Sequence, residues 1–496
     1  QTTMKALMET ILPLHLQTAV FYSLIAVTTT LIALYFYIEN TRMVRLGNKL
    51  PGPKTVPFFG NALIVLRLNP NEIADELLKL DIYGPVIRDG LLISTGEKWR
   101  SHRKIIAPTF HLNILKTFVP LFYENSRDLV IRLRDQVGKE FDCHDYLATV
   151  TVDILLDTAM GMRKTEKHKD SYNYAMAVMK LCEIIHRRTY NAILRVDLLF
   201  KFSQYAKEQL NSLSVIHGLT SQVIERKKEE IYKKICSNIE DKETEPRKIT
   251  TSAKSDTNVS DQHKSGQQYY VRDDLDEIDE NDIGEKKRLA FLDLLLELSK
   301  NGAKLTDEEI QEEVNTILFE ERVYEELMEI FGDSDRPCMF QDTLEMKYLE
   351  RVIFESLRLF PPVPAIAREI KKDLRIVTGN YLIPKGTTIL IPQFRIHRLE
   401  EFYPNPHAFN PDNFLPEKMQ CRHYYSFIPF SAGPRSCVGR KYAVLKLKVL
   451  LSTILRNYKI LSDLTEEDFR LRVDIILKRE DGFRIKIEPR NKNNWQ

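Results

Sequence analysis

The spacing of apolar and polar positions changes character along the chain. No Asp, Glu, Lys or Arg occurs between Glu9 and Glu39, and Ala19 to Ile38 is an almost unbroken apolar run. A helix of ~20 residues reaches ~30 Å, the thickness of a bilayer core. The run therefore predicts a transmembrane anchor over 19–38 behind a lead of 1–18. Tyr22, Tyr35 and Tyr37 stand near its ends, where amphipathic rings favour the interface. Arg42, Arg45 and Lys49 follow it, whereas Lys5 alone precedes it, an asymmetry that places the body in the cytosol. A cleaved signal peptide is the alternative, but the run ends in bulky Tyr-Ile-Glu instead of a small-residue cleavage site. The first methionine is Met4, which leaves the native start open between that residue and a point upstream.

Leu50-Pro51-Gly52-Pro53 interrupts the pattern, because two prolines fix φ and deny backbone donors. Residues 39–60 are expected to form a stiff hinge, and 61–496 the body. From Trp99 to about Ile235 apolar residues recur at three- and four-residue spacing, as in Leu129 to Val137 and Tyr205 to Lys234, predicting helices. Between about 237 and 287 Ser, Thr, Lys and Asp dominate, ending in the acidic run Asp273 to Glu280. Such composition buries too little apolar surface to order itself, so a disordered insertion is expected. A calcium loop fails there because the sixth position lacks glycine. Helical periodicity resumes at Leu289 and again at Thr306, which forms a capping box with Glu309, and runs to Phe331 before Gly332. Met346 to Leu359 is a further helix, stopped by Pro361-Pro362. Short strands are expected at Leu374 to Val377 and Thr387 to Ile391, with turns at Gly379-Asn380 and Pro384-Lys385-Gly386. A proline-rich stretch runs from Phe402 to Phe430, a helix from Val438 to Tyr458, and a terminal hairpin from Arg470 to Pro489, turning at Asp481-Gly482. The class is mainly α with small β-sheets, without internal repeats.

Composition adds exclusions. The net charge of +2 gives no basis for nucleic-acid binding. Six scattered cysteines lack any C-x-x-C pair, so neither a zinc site nor a disulfide framework is indicated, and reduced thiols fit a cytosolic body.

The densest chemical signal is Phe430-Ser431-Ala432-Gly433-Pro434-Arg435-Ser436-Cys437-Val438-Gly439. A cysteine just before a helix meets free N–H groups and the positive end of the dipole, which favour its thiolate. Gly433 permits a tight turn, Gly439 close backbone approach, Phe430 shielding of sulfur and Arg435 a carboxylate contact. A buried structural cysteine in a Gly/Pro loop is the bland alternative. The spacing resembles the haem-binding signature of the cytochrome P450 superfamily. That resemblance makes Cys437 the proximal ligand of haem b, with Phe430, Gly433, Arg435 and Gly439 around it. Further segments match in order. Glu355-Ser356-Leu357-Arg358 resembles the family's structural Glu-x-x-Arg pair, and Asn413 stands where a third member is often Arg. Trp99 and Arg103 resemble the Trp-x-x-x-Arg helix that contacts haem propionates, and Arg368 matches another propionate contact.

The resemblance implies an endoplasmic-reticulum enzyme, single-pass with a cytosolic body, that takes electrons from NADPH through cytochrome P450 reductase. Arg440, Lys441, Lys446 and Lys448 are candidates for a basic face toward that acidic partner, an ordinary solvated helix face being the alternative for Lys446 and Lys448. Within the superfamily the chain resembles family four and its insect G-type, through Arg272 to Lys287, Tyr174 to Lys180, His397 to Pro406 and His423 to Tyr442. The G-type converts long-chain aldehydes to hydrocarbons by oxidative decarbonylation; other family-four members hydroxylate fatty-acid chain ends.

Two pieces of the family pattern are missing, one between Arg88 and Asp89 and one between Glu320 and Glu321. The second would carry the oxygen-activating threonine, and Thr316 sits too early to replace it. Glu320 aligns with the glutamate that esterifies haem in many family-four members. The distal pocket is therefore expected to be incomplete, through a skipped exon or an imperfect gene model. A membrane haem-binding protein without turnover is the rival function, and an unstable product without function the third.

Overall fold

The computed structural model describes residues 14–47, 49, 95–161, 168–240, 321–376, 378–462, 464, 469–474 and 476–490. The Pro51-Gly52-Pro53 stretch, the sheet and gap expected around residues 83–93, insertion residues 241–287, the Leu289 helix, the Thr306/Glu309 capping box, Thr316 and Glu320 lie outside the described residues. The chain divides into two compact units, Gln1–His217 with Arg322–Gln496, and Gly218–Glu321. In the second, 218–240 is helical.

Helix α1 (Leu14–Glu39) contains the apolar run, and its segment Ala19–Glu39 is long and apolar enough to cross a bilayer, with none of it buried in protein. Its hydroxyls bond back along the helix, Ser23 Oγ to Ala19 O and Thr28 Oγ1 to Leu24 O, both at 2.7 Å. Each hydroxyl is thus satisfied without water. The short α2 (Arg42–Gly47) follows and leans on the body, where Arg42 Nη2 donates to Asp373 Oδ2 at 2.7 Å.

The core of the first unit is a helix pair. Helix α3 (Gly96–Ile106) leads into α4 (Leu112–Leu133), followed by α5 (His144–Thr158), α6 (His168–Tyr190) and α7 (Gln204–Glu240). The last of these passes the expected end near Ile235 by a few residues. The buried stripe Leu115, Val119, Phe122, Leu129 and Leu133 of α4 faces the C-terminal part of the chain. After α8 (residues 321–331) come α9 (Phe340–Glu345), α10 (Lys347–Leu359), α11 (Gln393–Ile396) and α12 (Arg440–Asn457). Helix α12 packs along α4 through Leu445, Val449, Leu450 and Ile454. Just past α12, Tyr458 is fully buried and its hydroxyl donates to Val130 O at 2.7 Å. Helix α12 begins at Arg440, later than the expected Val438, because residues 433–435 first make a tight turn.

Four small antiparallel sheets flank these helices among the described residues. Strand β1 (Glu140–Asp142) is an edge. Strands β2 (Ile366–Glu369) and β5 (Thr388–Ile391) pair with Arg368 opposite Ile389, and enclose the hairpin of β3 (Leu374–Ile376) and β4 (Tyr381–Ile383). Gly379 and Asn380 turn that hairpin with φ of 82° and 53°, the left-handed geometry that Gly and Asn tolerate best.

The terminal hairpin needs correction. Strands β6 (Tyr458–Leu461), β7 (Leu471–Asp474), β8 (Ile476–Arg479) and β9 (Arg484–Pro489) complete the set. β7 pairs with β8, so that hairpin closes between Asp474 and Ile476. β9 instead runs between β1 and β6, pairing Phe141 with Ile485 and Ile460 with Ile487. The Asp481-Gly482 turn thus carries the chain from one sheet to another. Alternation reports which positions share a face but not which distant edge supplies the hydrogen bonds.

Gly482 has φ +82°, and a Cβ there would come within 2.3 Å of Asp142 Oδ2, whose carboxylate caps Phe483 N–H. Gly482→Ala should destabilise the fold by about 1–3 kcal/mol, read from the urea midpoint. The same change in an Asp142→Ala background should show a smaller further loss, because the clash is gone and the backbone cost remains.

Candidate functional site

The cysteine loop is built from its own backbone. Ser431 adopts φ 63° and Gly433 φ 72°, left-handed values that cost a non-glycine residue energy unless its surroundings enforce them. Ser431 N–H donates to Ile428 O at 2.9 Å, Ser436 N–H to Gly433 O at 2.9 Å, and Cys437 N–H to Phe430 O at 2.8 Å. The loop so closed leaves Cys437 exposed, three residues before the first residue of α12, whose N-cap is Gly439. A Cβ on Gly439 would lie 3.9 Å from Cys437 Sγ and 3.8 Å from the Phe110 ring, so this backbone passes directly beside the sulfur.

Cations from distant segments converge on the loop. Arg103, on α3, donates to Ser436 O at 2.8 Å. Arg368, on β2, donates to Ser431 Oγ at 3.0 Å. Arg435 lies over the Trp99 ring, 4.2 Å from its centroid, a cation–π contact that also orients it. Burial holds Arg435 below the ordinary guanidinium pKa, and the nearby charges of Arg368 and Arg103 lower it further. Such a gathering of cations favours an anionic group with more than one carboxylate.

Behind the loop lies a buried ion pair. Glu355 and Arg358 have no exposed side-chain surface. Arg358 Nε and Nη2 each donate to the Glu355 carboxylate at 2.7 Å. Its remaining N–H groups reach His397 O at 3.1 Å, Pro406 O at 2.6 Å and Ala408 O at 2.9 Å. Asn413 Nδ2 donates to Glu355 Oε1 at 3.1 Å, and Asn410 N–H to the same oxygen at 2.7 Å. The third contact is therefore a neutral amide, the bond an Asn at that position allows.

A family model described as Cytochrome P450 matches residues 62–320 and 319–487. The chain belongs to the cytochrome P450 family. It is 44% identical to Cytochrome P450 4g15 of Drosophila melanogaster, covering 95% of this chain and 97% of the relative, and 47% identical to Cytochrome P450 4g1 of the same fly, covering 91% and 86%. It is 33% identical to Cytochrome P450 4V2 of Homo sapiens, covering 92% and 84%. These relatives place it in family four of the cytochromes P450, whose members are haem monooxygenases with a redox partner. The two matched stretches meet at Glu320, the position of the second expected gap. The alignment to Cytochrome P450 4g15 runs over 559 positions, more than the 496 residues of this chain, so that relative has residues without a counterpart here.

The donor set of this cytochrome P450 fits haem. One exposed sulfur lies at a helix start, and three guanidiniums surround its loop. Trp99, Arg103, Arg368, Phe430, Gly433, Arg435, Cys437 and Gly439 are all brought to this one place. The basic face expected along α12 is partly corrected. Lys448 is buried and donates to Glu350 Oε2 at 2.5 Å and Thr343 O at 2.8 Å, so it is not offered to a partner. Lys446 is half-buried, and burial lowers its pKa. Neither offers a freely solvated ammonium: that of Lys448 is bonded inside the protein, and that of Lys446 is partly desolvated.

Sequence reasoning missed Gln393 and His397. Both are fully buried, and they bond the backbone of Ile428 from one helical turn. It also missed Tyr442, whose hydroxyl lies 2.8 Å from Thr158 Oγ1 and whose ring meets Phe110, Phe118 and Phe122 edge-on. Histidines and glutamines are too common in loops for either to have stood out alone.

Removing Arg358 leaves a buried, unpaired carboxylate. Arg358→Ala should cost about 3–5 kcal/mol, and Arg358→Lys should recover little because an ammonium cannot reproduce the fork. Thermal melting checks both. Burial pushes the His397 pKa from 6.5 down to about 4, with the carbonyls of Arg358 and Leu357 opposing and the charges of Arg398 and Arg358 assisting. The unfolded chain takes up this proton as pH falls through 6.5, and the folded chain resists until about 4. Stability should therefore be unaffected by this group above 6.5 and decline between 6.5 and 4 by about 3 kcal/mol. A His397→Gln chain should lose that component of the slope in a pH series of urea melts.

Proposed function

We propose that this chain is a membrane-anchored haem-thiolate monooxygenase of the endoplasmic reticulum that acts on long aliphatic substrates. The observation that carries the assignment is an exposed Cys437 at the start of α12 inside a ring of Arg103, Arg368 and Arg435. Bound haem supplies the dioxygen chemistry, with thiolate donation favouring O–O cleavage. Cys437, exposed just before the start of α12, would supply the ligand sulfur. Arg103, Arg368 and Arg435 would hold the group by its carboxylates, with Arg435 stacked on Trp99; Phe430 receives the Cys437 N–H on its carbonyl, and the Gly439 backbone passes beside the sulfur. Glu355, Arg358 and Asn413 keep the supporting loops in place.

Support for a long aliphatic substrate is the G-type resemblance together with 44% and 47% identity to the two fly relatives. Fatty-aldehyde conversion to hydrocarbon and hydroxylation of fatty-acid chain ends are the two chemistries in view. NADPH-cytochrome P450 reductase is the electron donor, and Glu320 the residue for an ester to haem. A haem-binding protein without turnover is the second reading. Two facts favour it: the family match breaks at Glu320, and the aligned relative is longer.

Expression with reductase separates the readings. The wild-type chain should give the thiolate-type carbon-monoxide spectrum when reduced, and Cys437→Ala should abolish it. An unchanged spectrum in that variant would remove Cys437 as ligand. Arg368→Leu should lower haem retention roughly tenfold, the value of one charge-assisted hydrogen bond. A shortened hydrocarbon from a long-chain aldehyde identifies decarbonylation, and a chain-end alcohol from a fatty acid identifies hydroxylation. A thiolate spectrum with neither product identifies the second reading.

A further inference from the structure

The cysteine loop is gripped from behind by two side chains that the known signature does not include. Gln393 and His397 lie one turn apart at α11, and neither has exposed surface. His397 Nε2 accepts from Ile428 N–H at 2.9 Å, so the ring is neutral with its proton on Nδ1. Gln393 Nε2 donates to Ile428 O at 2.5 Å. One residue of the loop is thus held by both of its backbone groups.

The consequence follows the chain. Ile428 O also accepts from Ser431 N–H, which closes the turn that carries Ser431 into its left-handed conformation. Phe430, inside that turn, offers the carbonyl that receives Cys437 N–H. His397 in turn is tied to the buried pair, since its carbonyl accepts from Arg358 Nη1. Its ring packs against Phe427, with centroids 5.2 Å apart, and Phe427 packs against Phe414. A rigid path of hydrogen bonds therefore joins Glu355 and Arg358 to the backbone of Cys437.

We propose that Gln393 and His397 are positioning residues for the Cys437 loop, setting where the sulfur lies relative to the start of α12. They touch neither the sulfur nor any reacting atom, and they act by fixing Ile428. The proposal rests on the assignment of Cys437 as the ligand.

The test uses the full chain with His397→Leu, Gln393→Leu and His397→Gln, whose Oε1 can take the acceptor place of Nε2. In the Leu variants the reduced carbon-monoxide spectrum should lose at least half of its thiolate-type band to the neutral-ligand type, and His397→Gln should restore it. Amide exchange at residues 428–437 should rise about tenfold in the Leu variants, as loss of a buried hydrogen bond implies. His397→Gln should leave it near the parent rate. Melting temperatures report global unfolding separately, and exchange in α4 serves as the internal reference. Unchanged spectra and unchanged loop exchange in folded Leu variants would overturn the proposal. A parent chain without any haem band would overturn the ligand assignment instead, and loop exchange would then decide the positioning role alone. Faster exchange everywhere, α4 included, would also overturn it by showing a merely structural part.

Discussion

Two opposite charges sealed from water decide much of this fold. Bringing Glu355 and Arg358 out of solvent costs several kcal/mol per ion unless every polar atom is met. Here the five N–H donors of Arg358 reach five acceptors, and Glu355 receives two donors from the 410–413 segment besides those of Arg358. The requirement to satisfy that one guanidinium therefore fixes the carbonyls of His397, Pro406 and Ala408. The proline-rich stretch that follows is pinned at Pro406 and Ala408, and farther along it carries Ile428 to Gln393 and His397 at α11.

The helices after Glu320 are tied to one another as well as to α4. Glu326 on α8 accepts Tyr348 N–H at 2.6 Å and Leu349 N–H at 2.9 Å, capping the start of α10. Val323, Leu327 and Phe331 of α8 are buried, and Arg456 at the end of α12 lies over the Phe331 ring, 3.9 Å from its centroid. These contacts all lie on the C-terminal side of the position where the two family matches meet. They join α8, α10 and α12 to one another, while the cysteine loop and α12 also draw on Trp99, Arg103 and α4 from before that position.

Much of the site was legible from residue order. Cys437, Gly433 and Arg435 stand in one contiguous motif, and positive φ at Gly433 is what a tight turn asks of glycine. Glu355 and Arg358 stand one helical turn apart, a spacing that puts them on one face. Burial was not legible: the same spacing on a surface helix would form a weak, solvated pair. Lys448 shows the converse error, a charge that read as surface and proved to be buried against Glu350.

The sequence by itself determined the local elements: the long apolar N-terminal helix, α10 with its stop at Pro361-Pro362, the cysteine turn, and the left-handed glycines. Those depend on side-chain period and backbone sterics within a few residues. Tertiary structure alone decided that Arg103, Arg368 and Arg435 meet, that β9 pairs with β1 and β6, and that His397 reads the backbone of Ile428. Each of those needs partners tens to hundreds of residues apart. Chain order does not encode such pairings locally; they are chosen by which burial leaves the fewest polar groups unmet.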